Sequence, residues 1–432
     1  MMRHYITELE LDNGIKGLLI NIPDASVMSF NFGFRAGDYY APSKDKLETA
    51  HLMEHLILGA NKKFPRSRDF QADIQRNGAY SNASTSIYDI NYEAECADFE
   101  WKRILDRSIL SLTQPLFLED EFIAEFGNVK EELASRSNSH YSHLSLALRE
   151  AYGLKSVMTF QKRYEKVENV NLEDIINHYK NTHYSANMRF IIAGRLNPNR
   201  RRHIKSMLEN IELPDGPKTR KILPKQVPKA LKKPVFIPND TVENFYFYFD
   251  TFIRRRMDDK EIDAVNLLNS ILTETLHSKI LGTAREQGLV YSMSSSLNYD
   301  NDYTNWWFGS QVRPQNARAL FDIIIEELEK VFAGDVSQDD IKAAKQYRLG
   351  QFQRSAQTVH GIATGYLYRY FFDETIDNFY DTPQKIKAVT RPRIVKTAND
   401  LFKEKIWGIG VLGGNDRQVA NKLADQVKVL WG

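Results

Sequence analysis

The 432-residue chain contains a single cysteine, Cys96. It therefore holds neither an intramolecular disulfide nor a cysteine-based zinc site, and such a composition suits a reducing compartment. Net charge is almost absent, because 58 Lys+Arg against 56 Asp+Glu leave only +2. Without an overall positive field, the charge balance supports neither a nucleic-acid partner nor a hold on a membrane surface. No run reaches the ~18–20 consecutive apolar residues that span a bilayer. The start, Met1-Met2-Arg3-His4-Tyr5-Ile6-Thr7-Glu8, lacks the apolar stretch of a signal peptide. The expectation is a cytoplasmic chain with no membrane and no nucleic-acid partner.

What is present is an ordinary globular balance, with 42% hydrophobic and 26% charged residues. A length of 432 is too great for one small core, so two or three domains are expected. Asn13-Gly14 between two apolar runs predicts a hairpin. Next, Met28, Phe30, Phe32 and Phe34 alternate with Ser29, Asn31, Gly33 and Arg35, the period of a half-buried strand. A helix is expected from about Lys46 to Leu58, stopped by Gly59. Phe190 to Gly194 reads as the strand closing this region.

Six prolines (214, 217, 224, 228, 234 and 238) then cluster among lysines. Proline fixes φ and removes donors, so residues 213–234 read as an extended, solvated linker. Beyond it the pattern repeats: Ala50–His55 lies over Val265–Ser270, and the strand ending at Gly194 over Gly408–Gly413. Nearly equal offsets at two landmarks point to a duplicated domain. The expected division is residues 1–212, a linker at 213–234, and a homologous second domain at 235–432.

The chemistry concentrates in His51-Leu52-Met53-Glu54-His55, inside the helical segment. Positions i and i+4 of a helix lie one above the other, and i+3 shares their face. Two imidazoles can thus grip one metal ion while Glu54 stands beside it to handle a water. This is the zinc-peptidase layout in inverted order. A catalytic zinc site needs a third protein ligand and an open position. Glu119 to Ser135 reads as an acidic helix carrying Glu125, Glu131 and Glu132. Glu125 and Glu132, two turns apart, share a face, and Glu131 is turned about 100° away. Glu132 is therefore the expected ligand, and Glu125 the group that orients it.

These residues resemble the pitrilysin/insulinase family of zinc metallopeptidases over nearly the whole chain. In that family a glutamate ligand follows the histidine motif by some 76 or 77 residues; here Glu132 follows His55 by 77, and Glu131, at 76, is the poorer alternative. Asn13-Gly14, Ala36-Gly37, Ala50, Asn82-Ala83-Ser84-Thr85 and His183 to Met188 look like family landmarks. Arg285-Glu286-Gln287-Gly288-Leu289-Val290-Tyr291-Ser292 is similar to a family segment whose arginine and tyrosine steady the substrate. Arg285 stands one residue closer to Tyr291 than the usual spacing. Glu48 stands where the family often has glycine, and the repeated position Asn266…Asn269-Ser270 has lost every metal-binding and base function.

The resemblance implies an α+β fold of two homologous domains. Each is a mainly antiparallel sheet packed with helices, and together they form one half of a clamshell. It implies one Zn²⁺ per chain, held by His51, His55 and Glu132, with Glu54 as base and Tyr291 and Arg285 donating to substrate oxygens. It also implies that Asn82, Ala83, Ser84 and Thr85 form an edge strand that pairs with peptide substrate. Because a closed chamber in the family needs four such domains, a homodimer or a heterodimer with a related subunit is implied. The alternatives are a subunit active only with a partner chain, or a non-catalytic structural subunit. Three other signals are read as structural: the Gly408–Gly413 pattern as a strand end and turn, His140 and His143 as solvated, and Trp306-Trp307 as sheet core or a hydrophobic chamber wall.

Overall fold

The computed structural model describes residues 2–432. Its contacts divide the chain into two compact units, neither of them continuous in sequence. The first comprises Met1–Ser135, Phe160–Pro224 and Gln353–Phe379, and the second Arg136–Thr159, Lys225–Phe352 and Tyr380–Gly432. Each unit is one sheet packed with helices, the α+β architecture that the repeat implies.

In the first unit the strands are β1 (Tyr5–Glu10), β2 (Lys16–Asn21), β3 (Val27–Phe34), β4 (Tyr80–Thr85), β5 (Ile90–Ala97) and β6 (Met188–Gly194). They lie in the order β1-β2-β6-β3-β5-β4. All neighbours are antiparallel except β2 and β6. The β1–β2 hairpin closes at Asn13-Gly14, where Gly14 takes φ +86°, a value glycine adopts without steric cost. The strand at Phe190–Gly194 lies inside the sheet, between β2 and β3, and is buried along its whole length. At the opposite end, β4 has β5 as its single sheet neighbour, so one side of its backbone is an edge.

The second unit has β7 (Val235–Ile237), β8 (Phe245–Ile253), β9 (Met293–Tyr299), β10 (Thr304–Val312) and β11 (Ile406–Leu412), in the order β7-β11-β8-β10-β9. Only β7 and β11 run parallel. Laid over the first sheet, this order matches β2-β6-β3-β5-β4, including the single parallel pair. The duplication is thus a duplication of topology. Trp306 is fully buried in this sheet's core, as expected, and Gly408 to Leu412 belong to β11.

β3 departs from the half-buried expectation, because all its residues after Val27 are buried. Its second face is covered by the helix Val359–Asp373, which packs on β3 and β6. That helix lies some 330 residues away in sequence, too far for local periodicity to register. In the second unit the helix His140–Ala151 covers β8 and β11 in the same way. Glycine permits both crossings. A Cβ on Gly33 would stand 2.3 Å from the Phe371 ring, and one on Gly410 would stand 2.8 Å from Leu148.

Residues 213–234 contain no helix or strand, as the prolines require, yet the stretch is not simply solvated. Pro224, Gln226 and Pro228 are buried, and Lys221 N–H donates to Asn187 Oδ1 at 3.3 Å. The lone Cys96 is buried and free, and burial pushes its thiol up to about 12. Among the described residues no helix is long and apolar enough to cross a membrane.

The Gly33–Phe371 contact leads to a stability test. Gly33→Ala should destabilise the first unit by about 1–3 kcal/mol, the usual penalty for overpacking a filled core. Adding Phe371→Leu should restore part of the loss in chemical denaturation of the full chain. Equal stability of Gly33→Ala and wild type would show that the helix is not seated as described.

Candidate metal centre

The motif helix spans Glu48–Ile57, slightly inside its expected bounds, and all its residues except His55 are buried. Leu52, Met53, Leu56 and Ile57 enter the first unit's core. That burial fixes the helix rotation and turns Glu48, His51 and His55, at i, i+3 and i+7, along another face. The helix packs against β4 and against the helix Leu172–Thr182. A second helix, Glu119–Ser137, is anchored by its buried Val129 and Leu133. Glu125 and Glu132 flank Val129 on that face, whereas Glu131 is exposed.

His51, His55 and Glu132 converge, with one potential ligand atom from each lying within 4.8 Å of the others. His51 Nε2 is 3.4 Å and His55 Nε2 3.7 Å from Glu132 Oε2. The two imidazole centroids are 4.9 Å apart and nearly perpendicular. Each ring is held from behind through Nδ1, His51 by Glu48 Oε2 and His55 by Glu125 Oε2, both at 2.8 Å. Both rings therefore present Nε2 toward Glu132. Glu125 orients His55 and not Glu132 as expected, and Asn128 Nδ2 donates to the same Glu125 oxygen at 3.2 Å.

Two imidazole nitrogens and a carboxylate oxygen suit a borderline cation such as zinc, and three protein ligands leave one position open. The protonation states fit the same reading. Burial pushes the His51 imidazole down, but hydrogen bonds to Glu132 and Glu48 outweigh it and raise the ring to about 9. His55 is likewise raised to about 9, against burial, by Glu125 and Glu132. Carboxylates in front of and behind both rings thus favour positive charge between them.

Glu54 is buried beside the cluster and accepts a hydrogen bond from Thr85 Oγ1. Thr85 ends β4, with Asn82 and Ser84 exposed and Ala83 buried on the same strand. The edge-strand expectation thus coincides with a contact to the expected base that sequence did not reveal. Arg285 and Tyr291 belong to the second unit. There the Arg285 Nη1 donates to the Tyr291 carbonyl at 2.7 Å, and its guanidinium lies 4.5 Å from the tyrosine ring centroid. Tyr291 is exposed, and both residues border an open cavity of about 400 Å³. At the repeated position, Asn269 Oδ1 accepts from Trp306 Nε1 and Ser295 Oγ, so the second unit uses this place for core hydrogen bonds.

Sequence reasoning missed the partners of His51. Glu48 was visible at i−3 but stood out only as a departure from glycine. Arg163, which pairs with Glu48 and with Asp38 at 2.9 and 3.2 Å, lies 115 residues downstream of Glu48 and carries no local signal.

A doubled topology with an inverted histidine–glutamate helix in one copy only defines a peptidase-like class of fold. Comparison with known proteins makes the assignment specific. The model for Insulinase (Peptidase family M16) matches residues 18–159, and that for the Peptidase M16 inactive domain matches residues 169–347. The chain belongs to the insulinase family and carries two of its domains. It is 27% identical over 205 residues to insulin-degrading enzyme-like 2 of Arabidopsis thaliana, covering 43% of this chain and 20% of that protein. It is 31% identical over 111 residues to human insulin-degrading enzyme, covering 26% and 11%. The chain thus spans about a fifth or less of the length of these relatives. Its fold matches a protease from Helicobacter pylori with TM-score 0.82 at 20% identity, over 95% of this chain and 100% of that one. It also matches a peptidase M16 inactive domain from Pseudomonas fluorescens with TM-score 0.80 at 14% identity, over 95% and 98%.

The raised imidazoles set the sign of a pH effect. A cation must displace their protons, so its apparent affinity should rise with pH and level off near pH 9. Calorimetric titration with zinc in buffers of different ionisation enthalpy should show proton release across that window. A pH-independent affinity without proton release would contradict the described pairing.

Proposed function

We propose that the chain is a zinc-dependent endopeptidase that hydrolyses peptides or unfolded segments. The observation carrying this reading is the convergence of His51, His55 and Glu132 next to the buried Glu54 carboxylate. When bound, zinc supplies Lewis acidity, which makes water nucleophilic near neutral pH and polarises a carbonyl.

The chain's own residues account for the rest. His51, His55 and Glu132 hold the ion, one per chain. Glu54 accepts a proton from the attacking water and delivers it to the departing amine nitrogen. Thr85 steadies that carboxylate through its hydroxyl, which links substrate binding to the base. The free side of β4 accepts an extended peptide as an added strand, with backbone hydrogen bonds giving register along Asn82 to Thr85. Tyr291 and Arg285 donate to substrate or transition-state oxygens.

A second reading concerns assembly. One unit carries the histidine motif, and at the same place in its repeat Asn269 makes core hydrogen bonds instead. This favours a working enzyme built from two chains, as a homodimer or with a related subunit, acting in the cytoplasm.

Glu54→Gln should retain zinc and lose about 10²–10⁴-fold in peptide hydrolysis, the range for removing a general base. His51→Ala should lose both metal and activity. Metal content, a peptide-library digest and the size-exclusion mass of both variants test the two readings together. Undiminished hydrolysis by Glu54→Gln would refute the mechanism. A zinc-loaded monomer that is active alone would refute the need for a partner.

A further inference from the structure

We propose that Glu48, clamped by Arg163 and Asp38, is the positioning residue that aims His51 at the metal. The inference rests on the metal-binding reading of His51, His55 and Glu132 and adds the device that prepares one of the ligands. The two histidines are supported differently. His55 leans on Glu125, a partly exposed carboxylate from the second helix. His51 leans on Glu48 from its own helix, and Glu48 is almost wholly buried, with 2% of its side chain exposed.

A carboxylate that deep needs a fixed counter-charge, or it would move outward and release the ring. Arg163 meets this need, its Nε on Glu48 Oε1 and its two Nη on the two oxygens of Asp38. Asp38 is also buried, so both acids and the guanidinium form a closed triad. Glu48 has one oxygen on Arg163 and the other on His51 Nδ1, which leaves it little freedom to rotate. The imidazole must then donate from Nδ1 and present the Nε2 lone pair to a cation. A carboxylate behind a ligating histidine fixes its tautomer and makes it a better donor. The backbone adds to the effect, since Glu48 opens the motif helix, where its negative charge is favoured.

The test uses the full chain and Zn²⁺ alone, with affinity measured by competition against a chromogenic chelator. Glu48→Met removes the acceptor while keeping bulk, and it leaves Arg163 paired with Asp38, so the fold should survive. Its Zn²⁺ dissociation constant should rise 10–100-fold. Glu48→Gln keeps an acceptor oxygen without the charge and should recover most of that loss. The visible absorption of the Co²⁺-substituted chain should change in Glu48→Met and return toward wild type in Glu48→Gln. If Glu48→Met does not fold, a few-fold weakening in Glu48→Gln supports the inference and an unchanged affinity overturns it. A folded Glu48→Met with lower thermal stability but wild-type affinity and spectrum would make Glu48 merely structural and overturn the inference. Wild type that binds no Zn²⁺ overturns the metal reading as well, so the two failures are distinguishable.

Discussion

Charge taken out of water must be matched by charge of opposite sign, and that constraint organises the first unit around the motif helix. Glu48, His51 and Glu54 are all buried on ten residues of helix. None is stable there alone. Arg163 and Asp38 close the circuit at one end, Glu125 and Glu132 attend the histidines, and Thr85 caps Glu54. The apolar face of the same helix supplies the burial that makes these pairings necessary. Packing and electrostatics are therefore two consequences of one helix orientation.

The pairing has a chemical result. Burial alone pushes an imidazole toward neutrality and a carboxylate toward protonation. Here Arg163 and His51 overcome burial and hold the Glu48 carboxyl down at about 2. Both imidazoles are in turn drawn toward the cationic state by carboxylates in front and behind. On the proposed reading, a divalent ion between the rings would answer the same electrostatic demand without protons.

The second unit shows what the same topology does without these groups. Its strand order and single parallel pair repeat those of the first, and its helix Asp259–Leu272 contains the segment aligned with the motif. There Asn269 joins Trp306 and Ser295 in a neutral hydrogen-bonded cluster, which a buried helix tolerates without paired charges. One copy places paired charges on this helix, and the other a neutral cluster. The exposed Tyr291 and Arg285 belong to that second surface.

Local sequence determined much of this protein. The Asn13-Gly14 hairpin, the motif helix, the turn of Glu132 rather than Glu131 toward the histidines and the repeat were all legible, because turn chemistry and helical periodicity act within a few residues. Glu125 was legible as a supporting residue, but its target was not, since face-sharing on one helix says nothing of which atom on another it will meet. Tertiary structure alone decided that β3 is buried on both faces, because its cover is a helix from the far end of the chain. It alone decided that Arg163 secures Glu48, and that the Thr85 hydroxyl reaches Glu54. Sequence reports the chemistry a residue carries and the face it shares with near neighbours. Which distant charge neutralises a buried one is settled only when the sheets bring remote segments within hydrogen-bond range.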